Sequence, residues 1–234
     1  MGSSVGGTIV IASLWLFATG LHSARGSPQW TYGYGRMAVT EELSSVCAGI
    51  LNSMECARAV ESYQKARPGA RFQRSGDTLS IALEDGRSVS LRDDWSDKGG
   101  GKAYRTRAYS YIEFVPQLRQ HLVHVQYYEG GCFYLVDAKS GNKTEICGVP
   151  IVSAKARRFA CYVADLETGS SVEVWRIRAT EFQREWVFEP TDWVPAGLVW
   201  LSDDSIRISK EDFEGREVDH AVVTRRGSAW VWDK

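Results

Sequence analysis

The sequence predicts a mainly β protein with an N-terminal helical segment, its strands gathered into small antiparallel, blade-like sheets. Three observations predict this. The pair Val-Pro recurs at Val115-Pro116, Val149-Pro150 and Val194-Pro195, spaced 34 and 45 residues apart, and heads three stretches of short strands. Repeats of about 40 residues with three or four strands each are the mark of blade-like sheets. Glycines punctuate the stretches, and six of the nine Trp fall between Trp175 and Trp232, a density suited to sheet interiors.

Residues 1–26 read as an export leader. Thr8 to Leu21 is apolar and uncharged, and small residues follow at Ala18-Thr19-Gly20 and Ala24-Arg25-Gly26. The run is shorter than the roughly 20 apolar residues of a spanning helix, so a cleaved leader is expected rather than an anchor. Its loss leaves 27 basic and 29 acidic residues, a net charge of −2. That balance argues against a nucleic-acid partner and against docking on anionic lipid. The expectation is a periplasmic or secreted protein with no membrane insertion after leader cleavage.

Residues 27–39 read as a loose arm, and residues 40–92 as a helical segment followed by a β-hairpin. Leu43, Val46 and Ile50 share a helical spacing, as do Cys56, Val60 and Tyr63. Asn52-x-x-Glu55 resembles a capping box, so a new helix starts there and Pro68-Gly69 stops it. In the hairpin, a three-residue loop Glu84-Asp85-Gly86 sets Ile81 against Val89 and Leu79 against Leu91. A two-residue loop would set apolar against polar, so the longer loop is expected, with Gly86 left-handed. Residues 93–103, with Gly99-Gly100-Gly101, read as a flexible connection.

Residues 104–234 read as the blade-like repeat domain. Strands are expected near 104–115, 121–128, 132–137 and 143–147, then 150–153, 158–164, 172–178 and 182–188, then 197–201, 205–209, 218–224 and 228–232. Propellers close with about 4 to 8 blades, so three repeats make a partial or small propeller-like array. The 71–92 hairpin can supply a fourth sheet. Otherwise the array is open and needs a cap, a partner or a second copy over its edges.

Five cysteines follow the leader, room for two disulfides and one thiol in an exported chain. In one unbroken helix Cys47 and Cys56 would lie about 13.5 Å apart, whereas a disulfide needs Cα atoms within about 7 Å. A break between Gly49 and Ser53 would close the pair, and the alternative is two buried thiols on a helix face. Cys132 and Cys147 flank a hairpin. A four-residue loop, Ala138 to Gly141, sets them opposite and allows a bond, the reading preferred here. A three-residue loop sets Cys132 against Gly148 and forbids one. Cys161 reads as an inert buried thiol.

Candidate chemistry is sparse. His121 and His124, three apart on a strand, point to opposite faces and cannot share a metal. There is no nucleophile elbow, zinc-binding helix, phosphate loop or dinucleotide fingerprint. No cofactor, metal or catalytic residue is expected. Trp186, Trp193 and Trp200, with Asp192, Asp203 and Asp204, stand out as a candidate ligand surface able to cradle a sugar ring. The competing reading is core packing for the indoles and turn chemistry for Asp203-Asp204-Ser205.

The segment His121-Leu-Val-His-Val-Gln-Tyr-Tyr-Glu-Gly-Gly131, continuing to Tyr134-Leu-Val-Asp137 and Ser140-Gly141, resembles a blade of WD-type propellers. Together with the Cys-containing helix Asn52-Ser53-Met54-Glu55-Cys56-Ala57, it is similar to a group of uncharacterised exported bacterial proteins. The likeness covers about residues 45–205. A terminal Trp-Asp pair occurs once, at Trp232-Asp233. The resemblance implies a propeller-like fold and transfers no activity. The expected function is protein binding in the envelope, as an inhibitor or an immunity protein against a toxin. The alternatives are a carbohydrate-binding or carbohydrate-active protein using the 185–204 cluster, and a structural envelope protein.

Overall fold

The computed structural model describes residues 41–50, 52–94, 106–128, 130–164, 169–179 and 181–233. The leader, the arm and the triglycine connection lie outside the described residues. Helix α1 (Glu41–Ser44) gives way to turns through Gly49, whose φ is +79°, and α2 (Ser53–Lys65) follows. Asn52 caps α2: its side-chain oxygen accepts from the backbone N–H groups of Met54 at 2.9 Å and Glu55 at 3.1 Å. The break turns Cys47 back over the first turn of α2, and Cys47 and Cys56 form a disulfide across a Cα separation of 5.0 Å.

Fifteen strands among the described residues form four antiparallel sheets. The first holds β1 (Phe72–Ser75), β2 (Thr78–Ala82) and β3 (Ser88–Arg92); the second holds β4 (Arg107–Val115), β5 (Gln120–Tyr127), β6 (Gly131–Asp137) and β7 (Lys143–Ile146). The third holds β8 (Ile151–Val152), β9 (Arg158–Val163), β10 (Ser171–Ile177) and β11 (Phe182–Phe188); the fourth holds β12 (Val194–Ser202), β13 (Ser205–Glu211), β14 (Glu217–Arg226) and β15 (Ala229–Trp232). Every sheet is a meander in chain order. The β2–β3 hairpin takes the expected register, Leu79 opposite Leu91 and Ile81 opposite Val89, with Gly86 at φ +85°.

The repeat phase needs one correction. Val149-Pro150 precedes β8 and Val194-Pro195 opens β12, but Val115-Pro116 closes β4 instead of heading a sheet. Pro116 fits there because a turn's second position wants its fixed φ. The turn closes with the Leu118 N–H donating to the Val115 carbonyl at 3.2 Å. Strand β1, added to the hairpin through the Gly76–Asp77 turn, makes the first sheet three-stranded.

The sheets stack face to face in chain order. Phe72, Leu79, Ile81 and Leu91 of the first pack on Tyr109, Tyr111, Val123 and Val125 of the second. The opposite face of the second sheet, through Ile112, Leu122, Phe133, Leu135 and Ile146, meets Val60 and Ala57 of α2 and Phe159, Cys161 and Trp175 of the third. Val172 and Val174 of the third then meet Leu198, Ile206, Ile208 and Val223 of the fourth. Each fully buried Leu or Ile stabilises by about 1.5–3 kcal/mol relative to exposure, so these three interfaces carry the fold.

Polar groups close the outer edge of β4. Such an edge presents unpaired N–H groups that must be satisfied or covered. Arg107 pairs through its backbone with Asp94; the Tyr109 N–H donates to the Asp93 carboxylate, and the Tyr111 N–H to the Glu61 carboxylate, each at 2.8 Å. Arg74 grips Glu61 with two bonds of 2.7 and 2.8 Å, reaches Asp93 at 3.3 Å and donates to the Tyr109 carbonyl. Arg58 adds a 2.5 Å bond to Asp93. Asp93, expected to start a flexible connection, is instead buried. The run Asp93-Asp94-Trp95-Ser96 gives no local hint that the partners of Asp93 come from α2, β1 and β4.

Candidate functional site

The 185–204 cluster lies where the third and fourth sheets meet. Phe188 stacks on Trp186 at 5.9 Å and on Trp193 at 5.8 Å, and Trp232 meets Phe188 edge-on at 4.8 Å. Trp193 is buried, with the Lys210 ammonium 5.3 Å from its ring centre. Trp200 stands apart from this group: it pairs edge-on with Trp230 at 6.2 Å, and its indole N–H donates to the Ile151 carbonyl at 2.7 Å. The alternation that sets Trp186 and Phe188 on one face of β11 also sets Trp230 and Trp232 on one face of β15, Trp230 buried and Trp232 exposed near the chain end. Of the predicted indoles, Trp186 and Trp193 share one aromatic group and Trp200 belongs to another.

The acids divide in the same way. Asp192 is exposed in the bend before β12. Asp203 and Asp204 occupy the β12–β13 turn and bind basic groups of the third sheet. The Lys155 N–H donates to Asp203 at 3.2 Å, and Arg158 donates to the Asp203 carbonyl at 2.9 Å and the Asp204 carboxylate at 3.0 Å. Arg158 also bonds Glu185 at 2.6 Å, with Arg176 at 3.0 Å on the same carboxylate. Burial works to raise the pKa of Glu185, but the hydrogen bond and charge of Arg158, with Arg176, outweigh it and hold it below the usual carboxylate range. Arg158, a residue without a sequence signal, joins the two sheets.

The histidines lie on opposite faces of β5, as their spacing requires. His121 is fully buried, its Nδ1 3.1 Å from the Tyr111 hydroxyl; His124 packs edge-on against Phe133. Burial lowers the pKa of each to about 4, with Arg71 adding to the effect at His121 and Arg58 at His124. Both are neutral at pH 7.

The cysteines overturn one expectation. The β6–β7 register, Phe133 opposite Ile146 and Val136 opposite Lys143, is the four-residue loop that sets Cys132 against Cys147. They are nevertheless not bonded, because β7 ends at Ile146 and Cys147 turns out of the sheet. The Cys147 sulfur lies 2.8 Å from that of Cys161, while Cys132 faces the other core, 3.3 Å from the Tyr127 hydroxyl. Burial pushes the Cys132 thiol up to about 12. Among the described residues one trio of candidate ligands, Cys147, Cys161 and Glu173, has its ligand atoms within 4.8 Å of one another.

The two end faces of the stack differ. The outer face of the first sheet carries Gln73, Ser80, Ser88 and Ser90, with the Ser80 and Ser90 hydroxyls 3.3 Å apart. On the fourth sheet, Val199 pairs with Arg207 and Arg207 with Val222, so all three share the face turned away from the core. Val199 is 50% and Leu201 53% exposed there, and Arg207 is exposed between Val199 and Val222.

No family model, curated protein or solved structure matches this chain. Among the described residues, no helix is long and apolar enough to cross a membrane.

Proposed function

We propose that this is an exported protein of the periplasm or extracellular space that binds another protein, as an inhibitor or immunity protein does. The observation that carries the reading is the unlike pair of end faces. Among the described residues the outer face of the first sheet exposes no large apolar side chain, whereas that of the fourth exposes Val199 and Leu201 beside Arg207, among hydroxyls such as Ser205 and Thr224. Large exposed apolar groups gathered on one face mark interaction surfaces more than catalytic clefts. An arginine among them fits a partner with an apolar patch bearing a carboxylate, since arginine and aromatic or aliphatic anchors dominate protein interfaces. The Cys47–Cys56 disulfide suits an oxidising compartment. The resemblance to exported propeller-like proteins points the same way.

The test is photocrosslinking from position 199 in envelope extract, with Leu201→Glu and Arg207→Glu variants as comparators. The reading requires one defined protein captured by the parent and lost by both variants. Capture unchanged in the variants, or capture only of a second copy of the chain, overturns it.

A second reading has one observation in its favour. Trp232 is 39% exposed beside Phe188 and Trp186, an aromatic edge on which a sugar ring can stack. Titration of soluble glycans against intrinsic Trp fluorescence decides it: no change with any glycan removes the carbohydrate function.

A further inference from the structure

Cys147 and Cys161 meet where the chain passes from the second sheet to the third. Their sulfurs are 2.8 Å apart, closer than two non-bonded sulfurs settle. Cys161 lies in mid-strand on β9, opposite Glu173, and is fully buried, while Cys147 is partly exposed in the loop after β7. The neighbouring Gly148 brings them together. A Cβ at that position would lie 2.0 Å from the Tyr162 carbonyl oxygen, so only glycine lets the loop lie against β9.

Glu173 makes the trio look like a metal site, but two facts point elsewhere. Its carboxylate is already bonded to the Trp175 indole at 2.8 Å and to Arg184 at 2.7 Å. Two thiolates on one tetrahedral zinc would stand about 3.8 Å apart, given Zn–S bonds of about 2.3 Å. The sulfurs are placed for each other.

We infer that Cys147 and Cys161 are the site of a second disulfide, which joins the loop after β7 to β9 and locks the second sheet to the third. The oxidant is an external disulfide such as oxidised glutathione. The Cys147 thiolate attacks one of its sulfurs, forming a mixed disulfide and releasing one glutathione thiolate. The Cys161 thiol gives up its proton, and its sulfur attacks the Cys147 sulfur and displaces the second glutathione. Two cysteine thiols are oxidised by two electrons, one glutathione disulfide is reduced, and the two protons end on the released glutathiones. Burial and the neighbouring Cys161 raise the pKa of Cys147, so thiolate is scarce once the sheets have closed. The exchange therefore belongs to folding, before the junction is sealed. Cys132 is left as the thiol.

The test refolds reduced, denatured protein with reduced and oxidised glutathione, alkylates it in denaturant and maps it by non-reducing peptide mass spectrometry. Trypsin cuts at Lys155, Arg157 and Arg158, so the two cysteines fall in separate peptides. The expected result is a Cys147–Cys161 linked peptide, with Cys132 as the alkylated cysteine. The melting temperature should stand about 5–10 °C above that of the Cys147→Ala/Cys161→Ala variant. Alkylation of all three, or one retained zinc shielding both thiols, overturns the inference. A Cys132→Ser variant removes the competing thiol should the parent mispair. In it, Cys147 and Cys161 alkylated after the same treatment are equally decisive against it.

Discussion

Replacing Asp93 by alanine isolates the polar clamp on β4. The Asp93 side chain is 2% exposed and does three things at once. It accepts the Tyr109 N–H, which has no strand to pair with on that side, and it binds Arg74 and Arg58. Arg74 is 14% exposed and keeps Glu61, so its charge stays partly compensated; Arg58, at 30%, returns to solvent at little cost. The loss is then one orphaned buried N–H, about 1–3 kcal/mol, plus a weakened buried ion pair. The sum is about 3–4 kcal/mol, or a melting temperature lower by roughly 10 °C for a domain of this size. Asp93→Asn keeps an acceptor for Tyr109 and should recover about half. Urea unfolding followed by far-ultraviolet circular dichroism gives both numbers, provided the slope with denaturant is unchanged. A cost below about 1 kcal/mol for Asp93→Ala would refute the claim that this carboxylate closes the edge.

The other expectations are simpler. His121 and His124 have pKa values lowered to about 4 by burial, so the unfolded chain takes up their protons first, near pH 6.5. Their contribution is complete above pH 6.5 and is lost as pH falls towards 4, by roughly 3 kcal/mol each. Urea midpoints between pH 7 and 4 read this, and a flat profile refutes it. Gly148→Ala puts a methyl group into the Tyr162 backbone and should cost about 3 kcal/mol, measured by thermal melting; a neutral result means the loop can lift off β9. Cys47→Ser opens a short loop spanning a sequence separation of 9 and should cost about 2.5 kcal/mol. Its partner Cys56 should become alkylatable, and an unchanged melting point would count against the bond.

Much of the fold was legible because it is local. Period-2 alternation and turn glycines place nearly every strand of the second, third and fourth sheets. The β2–β3 register follows from matching Leu79 with Leu91 and Ile81 with Val89. Asn52 announces its helix by side-chain chemistry alone. What escaped is non-local. Strand β1 is short, and its exposed Gln73 and Ser75 mask the inward Phe72. The partners of Asp93 are Tyr109 in the next sheet and Arg58 and Arg74 far upstream, beyond any spacing rule. The Cys132–Cys147 reading failed although its register held, because alternation says nothing once β7 stops at Ile146. The aromatic and acidic residues of the 185–204 region were visible as types. Their division between two ring groups and an arginine-centred cluster required knowing which sheet faces which.

The contrast between the two terminal faces also sets how copies of this chain can aggregate. Head-to-tail growth needs unlike surfaces that complement each other, and the outer face of the first sheet exposes no large apolar side chain to meet Val199 and Leu201. Contact of Val199 and Leu201 with the same residues of a second copy is instead self-complementary and two-fold, and such an assembly stops at two subunits.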